Sequence, residues 1–144
     1  MGPIDKPSDG VVAHGRTGIN LFNSSHEPVY RLVVGLAFIQ GAGPQSLEEM
    51  LKFAEDRGAD QPIPVTTVSI LPPGNYRVWI SGVGWSSILS GRSGAEVAFT
   101  DREGSFWIRR ADGRLEEIHQ EPFEYFRRFG LFGPYELETP ERVE

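Results

Sequence analysis

The sequence predicts an all-β protein: an antiparallel two-sheet sandwich of about seven strands with one α-helix inserted between them. Three observations carry this reading. Within residues 71–115, three short runs alternate apolar and polar positions: Tyr76, Val78 and Ile80, then Ala95, Val97 and Phe99, then Phe106 and Ile108. A period of two marks strands with two different faces. Pro72-Pro73-Gly74-Asn75, Asp101-Arg102-Glu103-Gly104 and Ala111-Asp112-Gly113-Arg114 separate the runs, and these are turn residues by φ preference and local hydrogen bonding. Finally, there is a single strong helical pattern between strands, where a doubly wound parallel sheet would need several. A closed barrel would give the same alternation.

Taken in order, residues 1–16 hold two prolines and three glycines without periodicity, the composition of a mobile arm. Residues 17–24 give a first strand through Ile19 and Leu21. Asn23 to Pro28 reads as a turn. Residues 29–40 are apolar on both parities, as expected for a strand covered on both faces, and β-branched content with Gly35 favours strand over helix. A helix follows over residues 46–57: Ser46 caps it, Glu49 completes a capping box, and Leu47, Met50, Leu51 and Ala54 share a face. Gly58 is its terminator. Residues 62–71 resume the strand pattern.

Residues 82–94 differ in kind. This stretch is rich in glycine and serine yet carries Trp85, Ile88 and Leu89, so it reads either as a binding loop or as an irregular edge strand. After a last short strand at 115–118, residues 121–144 begin with an aromatic run in which Pro122 opens a short helix. The acidic final residues are expected to fray. The organisation is therefore an arm at 1–16, a sandwich at 17–120 and an aromatic C-terminal segment at 121–144 that packs on the sandwich or on a partner.

One consequence concerns faces. With Tyr76, Val78, Ile80, Val97, Phe99, Phe106 and Ile108 inward, Trp79 and Trp107 fall on the opposite parity, where a solvated face would be polar. The expected cover is a third layer built from Phe123, Phe126 and Phe129, with Tyr135 beyond them, or another subunit meeting the same surface; the competing reading is a bulge that turns one tryptophan inward.

Composition excludes several classes. The chain has 144 residues, no cysteine and a formal charge of −6. Thiol chemistry and cysteine-bound zinc are absent, and nucleic-acid binders concentrate positive charge. His14, His26 and His119 lie in an arm, a turn and a strand end without metal-ligand spacing, so no metal or cofactor is implied. Ser25, His26 and Glu27 adjoin in a turn, whereas catalytic triads assemble through the fold. Gly41-Ala42-Gly43-Pro44 resembles a phosphate loop but lacks the third glycine and the lysine. Glu116, Glu117, Glu121 and Glu124 read as a solvated face, and Asp101 and Asp112 as turn residues. An enzyme is not expected. Neither a membrane-length apolar run, a leader pattern nor a myristoylation pattern is present, giving an expectation of no membrane insertion and of a cytoplasmic protein, the compartment being open if a segment lies upstream.

The segments INLFNSSHEPVY, SILPPGNYRVWI and VAFTDREGSFWIRRADGRL resemble immunoglobulin-like β-sandwich domains of small uncharacterised proteins from high-GC, actinobacterial-type bacteria. The similarity covers about residues 17–120 and consists of turn and core features, so it implies a fold and carries no catalytic residues. The chain departs from antibody-type domains in lacking the cysteine pair and in carrying the inserted helix. Two functions follow as expectations. The first is a non-catalytic interaction or assembly module whose partner is another protein or a second copy, using Trp79, Trp85, Trp107, Phe123, Phe126, Phe129 and Tyr135. The alternative is a small-ligand or carbohydrate-binding sandwich using Trp85, Tyr76, Trp107 and the loop at 82–94.

Overall fold

Two antiparallel sheets face one another across an apolar interior, and a third layer closes the outer side of the larger sheet. The computed structural model describes residues 3–13, 16–38, 45–57, 64–81, 93–133, 135 and 137–143. The smaller sheet contains β1 (Ser8–Ala13), β2 (Arg16–Asn23), β5 (Gly74–Ser81) and the two-residue β9 (Glu141–Arg142), in the order β1-β2-β5-β9. The larger contains β3 (Val29–Phe38), β4 (Val65–Leu71), β6 (Ser93–Thr100), β7 (Phe106–Arg109) and β8 (Leu115–Ile118), in the order β4-β3-β6-β7-β8. Among the described residues the helices are α1 (Leu47–Arg57) and α2 (Pro122–Arg127). Among the described residues no helix is long and apolar enough to cross a membrane.

The sandwich interior is built from alternate positions. Ile19 and Leu21 of β2 and Tyr76, Val78 and Ile80 of β5 meet Leu32, Val34, Val97 and Phe99 of the larger sheet. The hairpins β6–β7 and β7–β8 turn through Gly104 (φ 84°) and Gly113 (φ 95°), where a side chain would strain the backbone. As the sequence suggested, β3 is covered on both sides: Leu32 and Val34 face the sandwich, Val33 the third layer. A bulge at Arg31, whose φ is +52°, resets its register against β6.

The third layer lies over Val33, Ala98, Ile108 and Ile118, which form one cluster with Leu47 and Leu51 of α1 and Phe123 and Phe126 of α2. Helix α1 starts as its residues dictate: Ser46 Oγ accepts from Glu49 N (3.2 Å) and Glu49 Oε1 from Gln45 N (3.0 Å). Gly35 lets it come close, since a Cβ there would collide with the Leu47 side chain and sit 3.1 Å from the Pro64 carbonyl. In α2, Pro122 takes the first turn and Glu121 caps Phe123 N (2.9 Å).

Four expectations are corrected. Residues 1–16 are no free arm over their described part: β1 pairs with β2, and Ile4 is fully buried and bridged to Asn23. Backbone pairing along an edge needs little side-chain signal, which is why a polar, glycine-containing segment gave none. The final residues do not simply fray, because Glu141 and Arg142 pair with Arg77 and Tyr76. Trp107 stands opposite Phe99 and packs on the sandwich interior, so Phe106 and Ile108 face the third layer instead. Strand β6 begins at Ser93, inside the stretch read as a binding loop or an irregular edge strand. The rest of that stretch, with Trp85, and the Gly41–Pro44 and Gly58 readings lie outside the described residues, as does the Ala54 side chain.

Candidate functional site

Three places gather polar chemistry, and their bonding separates structure from binding. The first is a buried ionic knot at the edge of the third layer. Arg110, just past β7, grips Glu48 of α1 with both terminal nitrogens (2.6 and 2.9 Å), Glu96 of β6 (2.9 Å) and Glu116 of β8 (3.1 and 3.2 Å). Glu96, 2% exposed, also accepts from Leu47 N at the start of α1 (2.9 Å) and from Ala111 N (3.2 Å). The Tyr125 hydroxyl donates to Glu48 (2.7 Å). One guanidinium therefore joins α1 to two strands, and Tyr125 ties α2 to the same Glu48.

Electrostatics follow from that geometry. Burial opposes the Arg110 charge, but bonds from Glu48 and Glu116 and the charge of Glu96 outweigh it and raise its pKa. Burial likewise works against the Glu48 carboxylate, yet its bonds from Arg110 and Tyr125 hold the pKa below the ordinary value. Burial and the bond to Glu48 push Tyr125 up. Shifted carboxylates often mark active sites, but here the bonds are spent within the fold, and the knot is structural. Glu116 and Glu121, expected on a solvated face, are both in ion pairs, with Arg110 and Arg31.

A folded pKa depressed at Glu48 has a definite sign. Its stabilisation is complete above the ordinary value of 4.5 and is lost as pH falls through the lowered folded value. Glu48→Gln should therefore flatten stability against pH below about 4.5, read from urea melts at successively lower pH. Equal acid slopes in the two proteins would remove Glu48 from the account.

The second place is the outer face of the smaller sheet. Gly18 of β2 lies opposite Trp79 of β5, and a Cβ there would approach Trp79 Cζ3 to 3.2 Å, so the indole lies down across the neighbouring strand. The Arg16 and Arg77 guanidiniums stand 5.0 and 5.8 Å from its ring centroid. Arg77 Nε donates to Asn20 Oδ1 (3.2 Å), and Trp79 Nε1 donates to Glu141 of β9 (3.2 Å). Phe22 adds an exposed ring at one end of the same face.

The third is a cleft of about 640 Å³ beside Trp107, between the Pro3 segment, the 24–28 turn and the β6–β7 hairpin. The N-terminal segment on one side of it is tied to β7 by Arg109, whose Nε donates to the Ile4 carbonyl (2.8 Å).

The predicted site residues are thus dispersed. Trp79 is on the open face and Trp107 in the cleft, on different sheets. Phe123, Phe126, Phe129 and Tyr135 sit together in or against the third layer, with Phe123 and Tyr135 ring centroids 4.7 Å apart. That layer covers Ile108 and its neighbours rather than either tryptophan. Tyr76 lines the interior and offers no stacking surface. Sequence reasoning missed Arg16, Arg77 and the Glu27–Glu103 rim of the cleft; a cross-strand glycine–tryptophan pair was the available signal for the first two. Comparison with protein-family models, curated proteins and solved structures finds no match.

Proposed function

We propose that the protein is a non-catalytic interaction module, an immunoglobulin-like sandwich that binds an acidic segment of a partner protein on the open face of its smaller sheet. The observation that carries this is the Arg16–Trp79–Arg77 stack. Among the described residues, neither guanidinium has a carboxylate partner and no layer covers this face. Trp79 is half-buried under these side chains, and arginine beside a partly accessible tryptophan is a pairing that interfaces favour. The chain's own Glu141, bonded to the Trp79 indole, already supplies a carboxylate at the edge of this face.

Strand order supports the immunoglobulin-like part of the reading. In that lettering β1-β2-β5 against β4-β3-β6-β7 is A-B-E against C′-C-F-G, with β8 widening the second sheet. The aromatic C-terminal segment is the weaker candidate for partner contact, because Phe123 and Phe126 are consumed inside the molecule. The non-catalytic part is supported by the carboxylate cluster, whose bonds go to structural donors. The overall charge of −6 repels an acidic partner at a distance, so attraction acts within the Debye length, about 8 Å at physiological salt.

Selection from a random-peptide display library tests this. Wild-type protein should enrich sequences dense in Asp and Glu, and the Arg16→Glu/Arg77→Glu variant should lose them while its stability changes by under about 1 kcal/mol. Trp79→Ala should weaken the selected peptides at least about tenfold. Equal enrichment by both proteins, or none by the wild type, would overturn the proposal.

A further inference from the structure

We infer that the cleft beside Trp107 is a binding site for a small organic ammonium ion. The cleft is separate from the open face of the smaller sheet, and the way its tryptophan is held gives it its character. Asp101 opens the β6–β7 turn: one carboxylate oxygen accepts from Ser105 N (2.9 Å) and the other from Trp107 Nε1 (2.8 Å). The turn thus fixes the indole and keeps a negative charge at its edge. The ring packs against the sandwich interior and also lines the cleft, with Val29 and Leu115 beside it as apolar floor.

The rim supplies the charge. Glu27, Asp101 and Glu103 line the cleft, against one guanidinium, Arg102, which is already paired with Glu27 at 2.6 Å. Glu103 has no ion-pair partner among the described residues. An aromatic floor under a net-negative rim attracts a cation whose charge is spread over an apolar body. A bare metal ion fits poorly: among the described residues no three acidic or histidine side chains converge as a metal site. The volume, about 640 Å³, falls in the range of small-molecule sites, roughly 300–1,000 Å³.

Choline, ethanolamine and the neutral carbon isostere of choline are the probes, titrated into nitrogen-labelled full-length protein while the indole N–H signals are followed. Choline should shift one indole signal saturably, and that signal should be missing in Trp107→Phe. The neutral isostere should bind roughly tenfold more weakly, the scale of a lost cation–π contact. Glu103→Gln, on an exposed turn where the fold is insensitive, should weaken choline severalfold, and added salt should do the same. Ethanolamine binding more weakly than choline would support recognition through the aromatic floor. An isostere that binds as well as choline would make this an apolar site and overturn the inference. So would the absence of saturation with both cations, or an unchanged affinity in Glu103→Gln.

Discussion

Arg110→Met is expected to cost about 3–5 kcal/mol, lowering the melting temperature by about 10 °C or more. The reason is asymmetric. Methionine fills much of the same volume, but Glu96, buried, and Glu48, mostly shielded, would be left with their cation gone. Such a loss exceeds what the intact ion pairs contribute, because uncompensated burial dominates. A second variant separates these terms. Adding Glu48→Gln and Glu96→Gln to Arg110→Met removes the stranded charges and should recover a large part of the loss. Urea unfolding of the single and triple variants reads both effects. An Arg110→Met protein within about 1 kcal/mol of wild type would show that the knot contributes little to the fold.

Phe126→Ala should be comparably severe, about 3–5 kcal/mol, since its ring is fully buried between α2 and the outer face of the larger sheet. Its neighbours give it an edge-on partner in Tyr125, with centroids 4.9 Å apart, and that ring also bonds Glu48. Phe132→Ala is the matched control. Phe132 is 61% exposed, and its loss should change stability by less than about 0.5 kcal/mol. If both phenylalanines behaved alike, the third layer would not be a packed part of the fold. Truncation after Gln120 removes α2 and β9 together and should expose apolar surface, read as dye binding and aggregation.

Much of this architecture is legible in the chain because turns and caps are local. Ser46 with Glu49, Pro122, and the glycines at 104 and 113 each act through their own neighbours, and the corresponding elements stand where those residues indicate. Faces are harder. The parity of β7 was misread because the larger sheet is apolar on both sides, so alternation between Phe106, Trp107 and Ile108 carries no polar reference. The turn itself held the answer: counting back from Asp101–Ser105 sets Phe106 opposite Thr100 and Trp107 opposite Phe99. Glu96 was visible as a charge among Ala95, Val97 and Ala98, but its partners are far along the chain, and spacing cannot reveal them. The open face was half legible. Trp79 was placed outward, whereas its arginine neighbours depend on the pairing of β2 with β5.

The third layer has a bearing on how the protein folds. Its two helices enter the chain at different points: α1 follows β3 and precedes the other strands of the larger sheet, and α2 follows them all. The five-stranded sheet can therefore gather α1 before α2 docks, while Ile108 and Ile118 still lack their aromatic cover. Transiently bare apolar surface of this kind is what makes partly folded chains aggregate. Refolding yield should accordingly fall as protein concentration rises, and fall further in a chain whose α2 cannot dock.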